Sequence, residues 1–99
     1  MILVWLHRAI ADRDAKLEYI AQDNPRAAIE QGDRITHQVG QMVQYSEMGR
    51  TGRKKGTREL VISGTPFIIV YRIKANRIEL LRLLHGSPMR GKPRDSFRG

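Results

Sequence analysis

The sequence predicts an α+β domain in which an N-terminal strand and an α-helical hairpin pack on an antiparallel β-sheet. Three observations predict it. The first half carries a helical seam, an Asn-Pro signal splits that half into two helices, and the second half holds three β-rich runs separated by turn residues.

The first element is Ile2 to Leu6, a short apolar run that reads as a strand. The opening MILVWLHR has no cleavage-like site after it, so a signal peptide is not expected. From Ala9 to Gln22 the pattern is helical. Ile10, Leu17, Ile20 and Ala21 fall near one face, with Asp12, Asp14 and Glu18 outward. Asn24 then caps, and Pro25 suits the first position of a second helix, where no amide donor is needed. That helix has the seam Ala28, Gly32, Ile35, Val39, Met42, spaced four, three, four, three. Gly32 and Gly40 each weaken it by about 1 kcal/mol relative to Ala, which points to close packing at both. A turn this short makes the two helices antiparallel.

Ser46 to Gly56 reads as a loop, with three glycines and the cations Arg50, Arg53, Lys54 and Lys55. Glu59 to Ser63 is a short strand, broken by Gly64-Thr65-Pro66. Phe67 to Ile73 is almost continuously β-branched or aromatic, as in a central strand buried on both faces. Lys74-Ala75-Asn76 turns the chain, and Arg77 to His85 returns as the hairpin partner. Residues 1–87 make one domain, and 88–99 read as a basic, flexible tail.

Charge is the strongest compositional signal. The 99 residues carry a net +8. Through Tyr45, five Lys and Arg face six Asp and Glu; from Ser46 onward, thirteen face four. The excess therefore lies wholly in the second half, which suits nucleic acid or an acidic protein partner. The absence of cysteine excludes disulfides, a thiolate nucleophile and thiolate metal sites, and fits a reducing cytoplasm. No run approaches the roughly 18 apolar residues of a membrane span. Three scattered histidines give no metal-ligand spacing, and the loop glycines miss the P-loop pattern, so neither metal nor nucleotide cofactor is expected.

The order of elements, Asp23-Asn24-Pro25 between the helices, Gly-Arg in the loop, GTRELVISGTPFIIVYRI at 56–73 and IELLRLLHG at 78–86 resemble the RelE/ParE superfamily. These are the small toxins of bacterial type II toxin–antitoxin modules, and the resemblance covers residues 1–87. It implies a microbial RNase-like fold and a cognate antitoxin whose acidic helical C-terminal segment wraps the toxin. It does not fix the reaction. RelE-type toxins enter the ribosome and cut mRNA, whereas ParE-type toxins poison DNA gyrase without known catalysis.

Metal-independent RNA cleavage needs a base for the 2′-hydroxyl, a cation for the phosphate and an acid for the leaving oxygen. The candidates are Arg58, Arg82 and His85. Arg82 and His85 are three apart, so a regular strand points them to opposite faces unless a bulge or the strand's end intervenes. Structural roles stand beside the catalytic ones: a salt bridge for Arg82, rim contacts for Arg58 and Glu59, a backbone bond for His85. Many RelE-type nucleases carry an Arg in the central strand where the resemblance places Ile68, although some branches use an Arg and a His near the last strand's end. The set Arg58, Arg82 and His85 tips the expectation toward mRNA cleavage, with gyrase poisoning or an inactive, degenerate toxin as alternatives. Arg50, Arg53, Lys54, Lys55, Arg72 and Arg90 are expected to contact nucleic acid or the antitoxin.

Overall fold

The computed structural model describes residues 1–86. The expected tail, 88–99, and Arg90 within it lie outside the described residues. The chain begins with β1 (Ile2–Trp5), enters α1 (His7–Asp23) and turns into α2 (Pro25–Gly40). Asn24 makes that turn alone. Its amide donates to the Ile20 carbonyl, closing α1, and its side chain accepts from the Ala27 amide, opening α2 with Pro25 in the first turn. α1 begins two residues earlier than the periodicity indicated, because Leu6 holds an extended conformation directly before it.

The α2 seam packs as expected: Ala28, Ile35, Val39 and Met42 are buried, and Leu17 of α1 lies against Gly32. Gly40 differs, having nothing within 4 Å of a built Cβ, so close packing explains only one of the two glycines. After α2 the chain makes a 3-10 turn, Gln41–Val43, before β2 (Arg50–Thr51). Neither was visible in the loop composition. β3 (Arg58–Val61), β4 (Phe67–Lys74) and β5 (Arg77–His85) complete a five-stranded sheet in the order β1-β5-β4-β3-β2.

Strands β3 to β5 form the expected antiparallel meander, β2 extends it from within the expected loop, and β1 adds to the outer edge of β5 in parallel. The sheet is therefore mixed. The direction of so short a strand leaves no trace in its own residues, since the side-chain alternation is the same either way.

One face of the sheet receives the helices. Phe67, Ile69 and Tyr71 of β4 and Ile78, Leu80 and Leu83 of β5 meet Ala9, Ile35 and Val39 in a single core. The turn between β3 and β4 is tied to α2 by a reciprocal pair: the Gln38 amide donates to the Ser63 carbonyl at 3.0 Å and accepts the Ser63 amide at 2.8 Å. Gly64 takes φ +81° there, and a Cβ would meet the Arg34 guanidinium at 2.6 Å.

Tyr71 anchors the loop that leads to the basic segment. Its fully buried hydroxyl donates to the Ser46 carbonyl and accepts from the Gly49 amide, both at 2.9 Å. Burial raises the Tyr71 pKa, so the phenol stays protonated and keeps its donor. A Cβ on Gly49 would sit 2.8 Å from that ring, which is why a glycine occupies the position.

Tyr71→Phe leaves the buried Gly49 amide without an acceptor, at a cost of about 1–3 kcal/mol. Thermal unfolding should show a melting temperature lower by roughly 4–8 °C per kcal/mol. A melt within about 1 °C of the parent would contradict this role.

Candidate functional site

The face of the sheet away from the helices is where the charges gather. Alternation along β4 puts Ile68, Val70 and Arg72 on that face, opposite Leu84, Arg82 and Glu79 of β5. The β4–β5 ladder slips between Val70 and Tyr71, where Arg82 pairs with Val70 but Leu80 with Tyr71. Leu81 is thus an extra residue, a bulge that turns both Leu81 and Arg82 toward a groove. The groove encloses about 680 Å³ and has an aliphatic floor including Leu6, Val70, Leu81 and Leu84. Arg8, Arg53, Lys54 and Arg82 stand around it, and Glu59 is its acid. A smaller lobe of about 240 Å³ continues past Ile68 to His85.

The three candidate catalytic residues are held in separate places. Arg82 is gripped by Asp12 of α1, with Nε donating to Oδ2 at 2.7 Å and Nη2 to Oδ1 at 3.1 Å. Asp12 Oδ2 also accepts the Leu83 amide at 2.9 Å. Arg58 donates through Nη1 to the carbonyls of Gly49 at 2.8 Å and Glu47 at 3.3 Å, so it clamps the loop. His85 is exposed at the end of β5, opposite Phe67, with the two rings edge to face at 6.0 Å. The bulge precedes Arg82 rather than separating it from His85, so their odd spacing persists.

The expected binding residues divide in two. Arg72 is bonded to Glu79 at 2.6 Å, and Arg77 holds the same carboxylate at 2.7 Å from the other oxygen. Arg50 lies 3.6 Å from Glu59 and remains largely exposed. Arg53, Lys54 and Lys55 are exposed and have no carboxylate within 4.0 Å among the described residues. Among those residues no cluster of three His, Asp or Glu could hold a metal ion, and no helix is long and apolar enough to cross a membrane.

Sequence reasoning missed the acids. Asp12 read as an outward helix residue, and the 70 residues between it and Arg82 leave no local signal for the pair. The Arg72–Glu79 pair was within reach, because the turn at 74–76 places those residues directly across a hairpin.

Comparison with known proteins decides the family. The family model described as ParE toxin of type II toxin-antitoxin system, parDE, matches residues 3–89. The chain belongs to the ParE toxin family. It is similar to Putative toxin Y4kP of Sinorhizobium fredii, at 41% identity over 81 residues covering 82% of this chain and 83% of that one. It is also similar to Toxin RelE2 of Caulobacter vibrioides, at 32% identity over 85 residues covering 86% and 94%. Among solved structures it matches the chromosomal ParDE TA system from P. aeruginosa with a TM-score of 0.80 and 29% identity, covering 88% of this chain and 97% of that chain. The chain is thus a type II toxin of the ParE/RelE family with the α+β fold that the sequence indicated.

Electrostatics at the two ion pairs gives this ParE-family chain a pH signature. Burial pushes the Asp12 carboxyl up, but the Arg82 hydrogen bond, the Leu83 amide and the charges of Arg82 and Lys16 outweigh it and hold the pKa below its usual value. The Arg72 hydrogen bond, joined by Arg77 and opposed by burial, does the same for Glu79. Unfolding frees both carboxylates to their ordinary values near 4, so over acid pH the unfolded chain binds more protons. Their stabilisation is complete above about pH 5 and is lost as pH falls through the depressed values. Urea denaturation at neutral and at acid pH should therefore show a steeper loss for the parent than for Asp12→Asn. Parallel losses would contradict the assignment.

Proposed function

We propose that this toxin arrests growth by binding and poisoning its target, as ParE-type gyrase inhibitors do, rather than by cutting RNA. The observation that carries this reading is the two-pronged hold of Asp12 on Arg82. A guanidinium stabilises a phosphate transition state through its free fork. Here Nε and Nη2 already serve a carboxylate, and Nη1 of Arg58 is turned onto two loop carbonyls. His85 has no hydrogen-bond partner among the described residues to orient it as a base. Ile68 and Val70 put hydrocarbon at the centre of the face where phosphate chemistry would need charge.

A cognate antitoxin completes the proposal. The similar solved structure is titled as a ParDE system, and the basic half of this chain suits an acidic helical segment that neutralises the toxin. One observation favours ribosome-dependent mRNA cleavage as the second reading: Arg53 and His85 line the same lobe of the groove.

Two assays separate the readings. Purified toxin added to DNA gyrase should block supercoiling or trap broken DNA, while translated messages stay intact by 5′-end mapping. His85→Ala should keep its toxicity within about twofold. Cuts at codon positions that vanish in His85→Ala would overturn the proposal, and normal growth with intact messages and active gyrase would mark an inactive toxin.

A further inference from the structure

We infer that the tip of the β2–β3 hairpin, Arg53-Lys54-Lys55, is a binding site for the phosphate backbone of duplex DNA, independent of base sequence. The inference goes beyond poisoning of a protein target and stands on the distribution of paired and unpaired cations.

Most arginines elsewhere on this side of the molecule are answered. Asp12 takes Arg82, Glu47 lies 4.0 Å from Arg58, and Glu79 takes both Arg72 and Arg77. Arg53, Lys54 and Lys55 are three consecutive exposed cations without such a partner among the described residues, and Arg8 stands across the groove in the same state. The one acid nearby, Glu59, is turned to the Arg53 backbone amide at 3.4 Å and to the Arg50 side chain, which leaves the Arg53 guanidinium free.

Their backbone is fixed in advance. The Gly52 amide donates to the Thr57 carbonyl at 2.8 Å, and the Lys54 carbonyl accepts both the Thr57 amide at 3.1 Å and its hydroxyl at 2.6 Å. The turn is closed on both sides, and only the side chains remain to be ordered by a ligand. A tip whose backbone is already ordered gives up only side-chain freedom on meeting a polyanion.

The duplex is favoured over a single strand because no Phe, Tyr or Trp lines the groove beside the tip. Phe67 and Tyr71 belong to the core, and Trp5 lies under the Arg13 guanidinium at 4.6 Å. Proteins that hold splayed bases use aromatic platforms, and this surface offers charge over an aliphatic floor with no ring to stack on. Contacts to phosphates alone give binding without base readout.

Fluorescence anisotropy of the full chain with a labelled duplex of about 20 base pairs tests this, with salt as the variable. Each phosphate contact contributes a slope of about −0.9 in log affinity against log salt. Lys54→Ala/Lys55→Ala should reduce the slope by about 1.8 and weaken binding at least about tenfold at 0.1 M salt. Arg26→Ala/Lys74→Ala removes the same charge from other exposed positions and should stay within about twofold. Equal losses in both pairs would reduce the effect to net charge and overturn the site. Tighter binding of single-stranded RNA would overturn the duplex, and tighter binding of polyglutamate would point to an acidic protein instead. Circular dichroism checks that each variant is folded. Gyrase inhibition is scored separately, so a toxin that poisons gyrase but ignores the duplex would refute this inference alone.

Discussion

The Asp12 carboxylate ties α1 to the sheet by answering two demands at once. β1 pairs with β5 only as far as Leu80, and the Leu6 amide makes the last bond of that edge, to the Leu80 carbonyl. Beyond it the chain leaves the sheet to start α1, and the Leu83 amide would be left without an acceptor. Asp12 supplies one from the second turn of the helix, and in the same position neutralises Arg82. A sheet edge left open by a short strand is thereby sealed by a helix side chain. The position of α1 on the sheet and the state of Arg82 are then one fact.

The remaining design follows from a sheet with two unlike faces. The helix side is a continuous hydrocarbon core in which Tyr71 carries the polar atom, and that hydroxyl reaches out to hold the loop 46–49. Arg58 grips the same loop from its other side. Between them they place β2 and the cationic tip at the rim of the groove. The other face alternates aliphatic floor with paired arginines, so its charges are mostly spent internally. What remains unneutralised is concentrated at Arg53, Lys54 and Lys55, where a partner has most to gain by binding.

Much of the fold was legible from local signals. The seam of α2 named its own buried residues, Asn24-Pro25 marked the break between helices, and Gly64-Thr65-Pro66 marked the β3–β4 turn. These features rest on residues close in sequence, where periodicity and capping act directly. The direction of β1, the bulge at Leu81 and the partner of Arg82 were not legible, because each is decided by segments that meet only after folding. The site shows the same division. Ile68 identified a central strand poorly equipped for phosphate chemistry. The roles of Arg58 and Arg82 needed Gly49 and Asp12, whose proximity no spacing reveals. A salt bridge for Arg82 stood among the readings of the sequence, but with no partner named.

Arg82 is held as a structural partner of α1. A double-mutant cycle on stability tests it most directly, using Asp12→Ala, Arg82→Ala and the double variant in urea. The pair is partly exposed, with side-chain exposures of 34% for Arg82 and 14% for Asp12, which limits the coupling through solvent screening. The expected coupling is favourable and about 1 kcal/mol, between that of an exposed pair and that of a buried network. Additive single-variant losses, with no coupling, would contradict it and return Arg82 to the list of groups free to act on a substrate.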